Sequence, residues 1–494
     1  MDISAYIDRA KDVFLYSEGN PLLFNSGLFL FLFAGFLIVY KALSAHPLWR
    51  KLFVIAFSLY FYYKSSAECC FILLGVCLSD YLLGNLLGWL KSDFWRRCVV
   101  AVNVIVNVGM LVYFKYFNLM IDIVSNFSIK EFDALDVILP AGISFFTFRS
   151  ISYIVDIYRG EIKPARNLID YTFFLTFFPP LLAGPVVRAK DLLPQIKENP
   201  EATHEMASEG LFLIMAGLIK KVLIADYISG NFVDRIFDNP TLYSGFENLM
   251  GITGFTIQLY CDFSGYSDMA IGIALMLGYR FKENFAAPFK AQNPSEFWRR
   301  WHISLSTWLR DYLYIPLGGN RKGERRTYLN NFLTMVIGGL WHGASLMYVI
   351  WGAYHGLLLA VHKMIRKVYR IPEPLRGTFP VRIVNTLITF SLVVIGFTFF
   401  RAPSLDTVGE IFGQIFGSFH LSVLPQFVEG YMMIVVAIGA GLLMHFSPRS
   451  WSVGATRALT AMPLMVQGLI LAMIIFFVIQ TRQSELVPFI YLQY

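Results

Sequence analysis

An all-α, polytopic membrane protein is the fold class this sequence predicts, on three observations. The 494 residues are 56% hydrophobic and only 15% charged, against roughly 25% charged in ordinary soluble domains. The mean hydropathy is +0.56. The apolar residues are also spread over the full length, in runs of the size that crosses a bilayer, which leaves no stretch for a separate large soluble domain. One integral-membrane domain over residues 1–494 follows. The net charge of +7 does not point to nucleic acid, because Lys and Arg sit mainly between apolar runs, as topology signals do. The five cysteines (Cys69, Cys70, Cys77, Cys98, Cys261) lie in or beside apolar segments with no zinc or disulfide spacing. They read as small apolar helix residues.

Met1 to Glu18 reads as an amphipathic helix lying on the membrane surface. Residues 22–40 make the first span, at roughly 20 residues for a ~30 Å hydrocarbon core. No small-residue cleavage site follows, so this run is expected to stay. Further spans are expected near 52–64, 67–90, 98–117, 137–155, 171–187, 210–228, 247–279, 328–365, 383–400, 430–446 and 463–480. Pro and Gly interrupt several, at Leu139-Pro-Ala-Gly142, Phe178-Pro-Pro-Leu181 and Ala183-Gly-Pro185. Such breaks are tolerated at membrane depth where backbone lines a cavity or packs on protein, which predicts a central chamber.

Between Tyr279 and Asn331 no clean span occurs, and ten basic residues stand against four acidic ones. The excess places this stretch, centred on 281–327, at the cytoplasmic face. Trp298, Trp301, Trp308, Tyr312 and Tyr314 suit helices that lie at the interface or dip into it. Two uses fit Arg299, Arg300, Arg310 and the adjoining Asp311: topology and lipid-headgroup contact, or a seat for a phosphorylated donor.

His342 is the first candidate for chemistry. It follows Gly338, Gly339 and Trp341 and precedes Gly343, so a small substrate can approach the ring closely. An ionisable group at membrane depth marks a working site by default. A neutral imidazole is a natural base for a hydroxyl, contributing about 10²–10⁴-fold. His302, in the Trp-rich basic segment, fits either a second site residue or an interfacial histidine held by neighbouring Trp rings. His355 lies ~20 Å further along a straight helix and ranks second. Its spacing to His362 gives no chelating pair, and no metal is expected. Gln258-Leu-Tyr-Cys-Asp-Phe-Ser-Gly-Tyr-Ser-Asp268 supplies polar candidates in apolar sequence: Asp262, Ser264 and Asp268, the last as a helix cap. The residues 483–494 end in Pro488-Phe-Ile-Tyr-Leu-Gln-Tyr494. Tyr491 there reads as an interfacial anchor or as a relay nucleophile, if a base lies near. Lipase, ATPase and zinc-protease motifs are all missing from the sequence.

Long motifs now bring a family into view. The stretches from Gln258 to Gly272, from Phe297 to Tyr314 and from Gly338 to Gly343 resemble the membrane-bound O-acyltransferase family, in its bacterial polysaccharide branch of alginate type. Leu139-Pro-Ala-Gly-Ile-Ser-Phe-Phe146, Ser152-Tyr-Ile-Val-Asp-Ile-Tyr-Arg-Gly160 and Leu182-Ala-Gly-Pro185 extend the resemblance over nearly the whole chain. The resemblance implies a ring of tilted transmembrane helices around a central funnel, with re-entrant helices and a catalytic histidine at its base. By motif that histidine is His342, with His302 as the second, upstream position. It further implies acetyl-CoA as a cytoplasmic donor substrate with no bound cofactor, an exported SGNH or esterase-like partner acting on a polysaccharide, and the bacterial inner membrane. Phe489-Ile490-Tyr491 is similar to a motif of a partner peptide in the related D-alanylation system, with Leu492 where a Phe is typical. An acyl-carrier-protein donor is one alternative. A proton-coupled transporter using intramembrane His and Asp is another, but the internal repeats of transporters are not seen here.

Overall fold

The computed structural model describes residues 13–17, 21–127, 139–368, 377–481 and Phe489; among these the regular structure is helical, with no strand. Of the surface helix expected over Met1–Glu18, only residues 13–17 fall in that range.

The chain enters α1 (Gly27–Ala42) at Ser26, whose hydroxyl accepts from the Phe29 amide. α2 (Pro47–Ser66), α3 (Cys70–Trp89) and α4 (Asp93–Leu111) follow. α4 runs through one π turn, Val112–Tyr116, into α5 (Phe117–Phe127). α6 (Ile143–Arg159) starts at Gly142, whose φ of +69° favours glycine. A β-carbon at Gly142 would also meet the Leu181 carbonyl oxygen at 2.5 Å. That contact ties α6 to the non-helical run 177–188, which follows α7 (Leu168–Thr176). Every residue of 177–188 is buried in protein, which keeps irregular backbone away from lipid.

α8 (Ala189–Glu198) and α9 (His204–Leu218) lead to α10 (Gly245–Met276), 32 residues long and opened by a capping box between Ser244 and Glu247. Most of α10 is buried. Gly210 and Gly217 of α9 pack on it so tightly that a β-carbon on either would lie 2.5 Å from the Gly272 or Gly265 carbonyl oxygen. Facing small residues are what permit this approach. Being sheathed by protein, α10 carries Gln258 and Asp262, which a lipid-facing span excludes.

α11 (Pro294–Arg300) and α12 (Ile303–Leu309) are short, and α13 (Glu324–His342), α14 (Leu346–Val368) and α15 (Phe379–Arg401) are long. The rest is α16 (Leu405–Gly417), α17 (Met432–Phe446), α18 (Arg449–Ala461) and α19 (Leu464–Thr481).

Among the described residues three stretches are long and apolar enough to cross a membrane: Pro47–Trp89, Asp93–Ile121 and Phe379–Arg401. Two further apolar stretches are broken, Leu405–Gly417 against Leu421–Gly430 by 91° and α17 against α18 by 92°. Other expected spans differ for local reasons. The 22–40 run becomes helical only at Gly27, and the 171–187 run leaves the helix at Phe177. The 328–365 run is two helices, because it breaks after His342. Phe31, Phe71, Ile105 and Leu443 stand exposed on the outside, as suits a body embedded in lipid.

Candidate active site

His342 is the last residue of α13, and the chain turns back through Gly343–Ser345 into α14. Two glycines let the helices press together as an antiparallel hairpin. A β-carbon on Gly339 would come within 2.2 Å of the Tyr348 carbonyl oxygen, and one on Gly352 within 2.4 Å of that of Met335. His342 sits buried at the turn, its ring centroid 4.8 Å from Trp341, 5.0 Å from Trp351 and 5.2 Å from Phe400.

The hairpin overturns the straight-helix separation of His355 from His342. Both rings contact Trp351, whose centroid is 5.0 Å from each. His355 fills space beside Trp298 and Gly396, where a β-carbon on the glycine would meet Nε2 at 2.8 Å.

His302 joins α11 to α12 with φ +42°, a left-handed backbone uncommon outside glycine. Residues held in that region cluster at functional sites. The ring is 1% exposed. Its Nδ1 lies 3.2 Å from Asn284 Oδ1. The same oxygen accepts from the Ser304 amide (3.1 Å) and hydroxyl (2.8 Å), while Asn284 Nδ2 donates to Ser267 Oγ (3.1 Å). A backbone amide only donates, which fixes the carboxamide oxygen on this side; Nδ1 therefore carries the proton and Nε2 the lone pair.

Trp341 is where the histidines meet. Its ring is 6.3 Å from His302 and 4.8 Å from His342, and it stacks on Phe148 at 5.2 Å. Trp308 stacks on the same Phe148 at 3.8 Å and donates from Nε1 to the Phe148 carbonyl.

The carboxylates of α10 form a separate cluster. Lys221, in the π turn Ile219–Asp226, lies 2.5 Å from Asp262 and 2.8 Å from Asp226. Lys220 lies 2.7 Å from Asp268. Asp268 is thus an ion-pair partner inside α10 and not the helix cap expected, because α10 continues past it to Met276. Ser264 is buried on the same helix. Phe489 packs here too, edge-on to Tyr266 at 4.1 Å, with Lys221 Nζ 4.6 Å from its centroid. Tyr491 lies outside the described residues.

In the basic segment, Arg300 pairs with Glu296 at 2.8 Å, and Asp311 takes both Arg188 and Arg310 at 2.7 Å. Burial alone would raise the Asp311 carboxyl; hydrogen bonds from Arg310 and Arg188 outweigh it and hold it below its usual range. Arg299 and Arg310 are exposed. Trp301 and Trp308 face neither lipid nor water: both are buried in protein, Trp301 stacked on Phe297. Among the described residues no group of His, Cys, Asp and Glu side chains is arranged to hold a metal ion. Sequence reasoning passed over Asn284 and Ser304, polar residues with no spacing signal in a polar stretch. Ser267 lay within the motif around Asp262 but carried no assignment.

A multi-pass helical body with two histidines beside one buried tryptophan is a membrane protein with ionisable groups in its interior. Residues 162–400 match the model of MBOAT, the membrane-bound O-acyltransferase family. A probable alginate O-acetylase from Pseudomonas putida is 40% identical over 501 aligned positions, covering 96% of this chain and 100% of the relative. A peptidoglycan O-acetyltransferase from Helicobacter pylori is 36% identical over 429 positions, 80% of each chain. A teichoic acid D-alanyltransferase from Bacillus subtilis is 30% identical over 271 positions, 52% of this chain and 68% of the relative. The chain belongs to the membrane-bound O-acyltransferase family and is an enzyme of that type.

Proposed function

We propose that this enzyme moves an acetyl group from cytoplasmic acetyl-CoA across the bacterial inner membrane, for O-acetylation of an exported polysaccharide. What supports this most is the convergence of His302 and His342 on Trp341, in a chain whose relatives include an alginate O-acetylase and a peptidoglycan O-acetyltransferase. In this reading tilted helices surround a funnel, the segment 281–327 faces the cytoplasm with re-entrant parts, and exposed Arg299 and Arg310 meet the donor phosphates.

His342 takes the proton from an attacking hydroxyl as its oxygen bonds to the acetyl carbonyl carbon. The thioester C–S bond breaks, and CoA leaves as a thiolate that recovers the proton from the imidazolium. His302, oriented by Asn284, positions the reacting groups. If Tyr491 is the first acceptor, a tyrosyl acetate forms and then passes its acetyl to a hydroxyl on the far side, where an exported SGNH-type partner delivers it to the sugar.

Purified protein in detergent is given radiolabelled acetyl-CoA, comparing wild type, His342→Ala and Tyr491→Phe, with CoA release and protein-bound label as readouts. Label on wild type and on neither variant supports the tyrosyl relay with His342 as base. Label on Tyr491→Phe moves the relay elsewhere, and turnover by His342→Ala removes the base assignment. Inert wild type points to an acyl-carrier-protein donor or to an obligatory partner.

A further inference from the structure

Between Cys98 and Phe117 the sequence holds a single charged side chain, Lys115. An ammonium at that depth is expensive without acceptors close by. Its acceptors are the last carbonyls of the helix that ends at His342. Lys115 Nζ donates to the Trp341 carbonyl at 2.9 Å and to the His342 carbonyl at 2.7 Å. The adjacent Tyr116 donates its hydroxyl to the Leu340 carbonyl. The final carbonyls of any α-helix lack partners within it. A left-handed residue commonly closes such an end, but Gly343 is extended, with φ −172° and ψ 163°. Two neighbouring side chains from a distant helix do the capping instead, and the positive charge suits the negative end of the helix dipole.

Both reach the same helix end because of the π turn Val112–Tyr116. Successive residues of an α-helix diverge by about 100°. A turn closed from i to i+5 holds more residues, so its neighbours diverge less, and such turns gather at functional sites.

We infer that Lys115 is a positioning residue for acyl transfer: by clamping the carboxyl end of α13 it sets the angle at which His342 presents its ring. The inference rests on the reading of His342 as the base. Removing the clamp keeps the imidazole but lets the last turn that carries it swing, and a displacement near 1 Å is enough to slow transfer about 10²-fold.

Steady-state acetyl transfer is measured on Lys115→Met, Lys115→Arg, Tyr116→Phe and His342→Ala, each checked for monodispersity and thermal unfolding. Lys115→Met, unbranched and one atom shorter but unable to donate, is expected to lose about ten- to hundredfold in kcat with donor KM within about twofold. Lys115→Arg, which donates to both carbonyls, is expected to stay within about threefold of wild type. Tyr116→Phe falls between them. A kcat for folded Lys115→Met within about twofold of wild type overturns the inference, as does a loss carried by KM alone. If Lys115→Met does not fold, Tyr116→Phe decides, and a wild-type kcat there overturns it. Activity retained by His342→Ala sinks the base assignment and this inference together. An inactive His342→Ala beside a fully active Lys115→Met sinks the inference alone.

Discussion

His302 is held by its side chain and His342 by its backbone. The first has a left-handed backbone and one ring nitrogen committed to the Asn284 carboxamide, which is itself tied to Ser304 and Ser267. The second has its carbonyl gripped by Lys115 and its helix pressed into a hairpin by Gly339 and Gly352. A side-chain network fixes which nitrogen holds the proton, and it depends on one amide. A backbone clamp fixes where a ring stands, and it survives replacement of the ring. The two regions are therefore expected to fail differently when mutated.

His342→Ala separates them most. Acetyl turnover is expected to fall about 10²–10⁴-fold while the thermal midpoint barely moves, since the caps on α13 act on backbone. A large fall in the midpoint would break the contrast. Asn284→Ala comes next. It frees the tautomer of His302 and strips Ser304 of its acceptor, so kcat drops about tenfold or more and stability falls by about 1–3 kcal/mol. Asn284→Asp keeps the acceptor and is expected to recover most of the kcat; equal loss in both variants would show that the hydrogen bond to His302 does not matter. Gly339→Ala acts on shape alone. Its β-carbon would collide with the Tyr348 carbonyl at 2.2 Å, and the expected loss is about 1–3 kcal/mol, read by thermal unfolding, with activity following the folded fraction. Wild-type stability there would mean the hairpin opens freely. Arg299→Gln is the smallest. The side chain is exposed, so the donor KM is expected to rise no more than about threefold, and less at high salt. A salt-independent tenfold rise would put Arg299 inside the site.

The helical membrane class was legible because apolar residues fill the whole chain; His342 drew attention as an ionisable group among glycines and apolar residues, and its role as base is a proposal. The hairpin was not legible. Residues 328–365 form one apolar run, and the three-residue break Gly343–Ser345 carries no charge or proline to announce it. Extending a straight helix through it misplaced His355. Asn284 was invisible for another reason: its role exists only once folding brings residues 267, 302 and 304 around it. The tryptophans of the basic segment looked interfacial because a sequence does not say which rings find partners, and Trp301 and Trp308 found theirs indoors. Lys115 was passed over although it is the single charge between Cys98 and Phe117, because its carbonyl partners lie on a helix far downstream.

Phe489 sets an order on how the molecule is made. It leaves the ribosome long after Tyr266 and Lys221, the residues it packs against. Until it arrives, the wall around the Lys221–Asp226–Asp262 cluster lacks one ring. Contacts of such long sequence separation form late, so this corner of the interior is closed only once Phe489 has been made. A growing chain therefore passes through an interval in which its earlier helices exist and this charged cluster still lacks that ring.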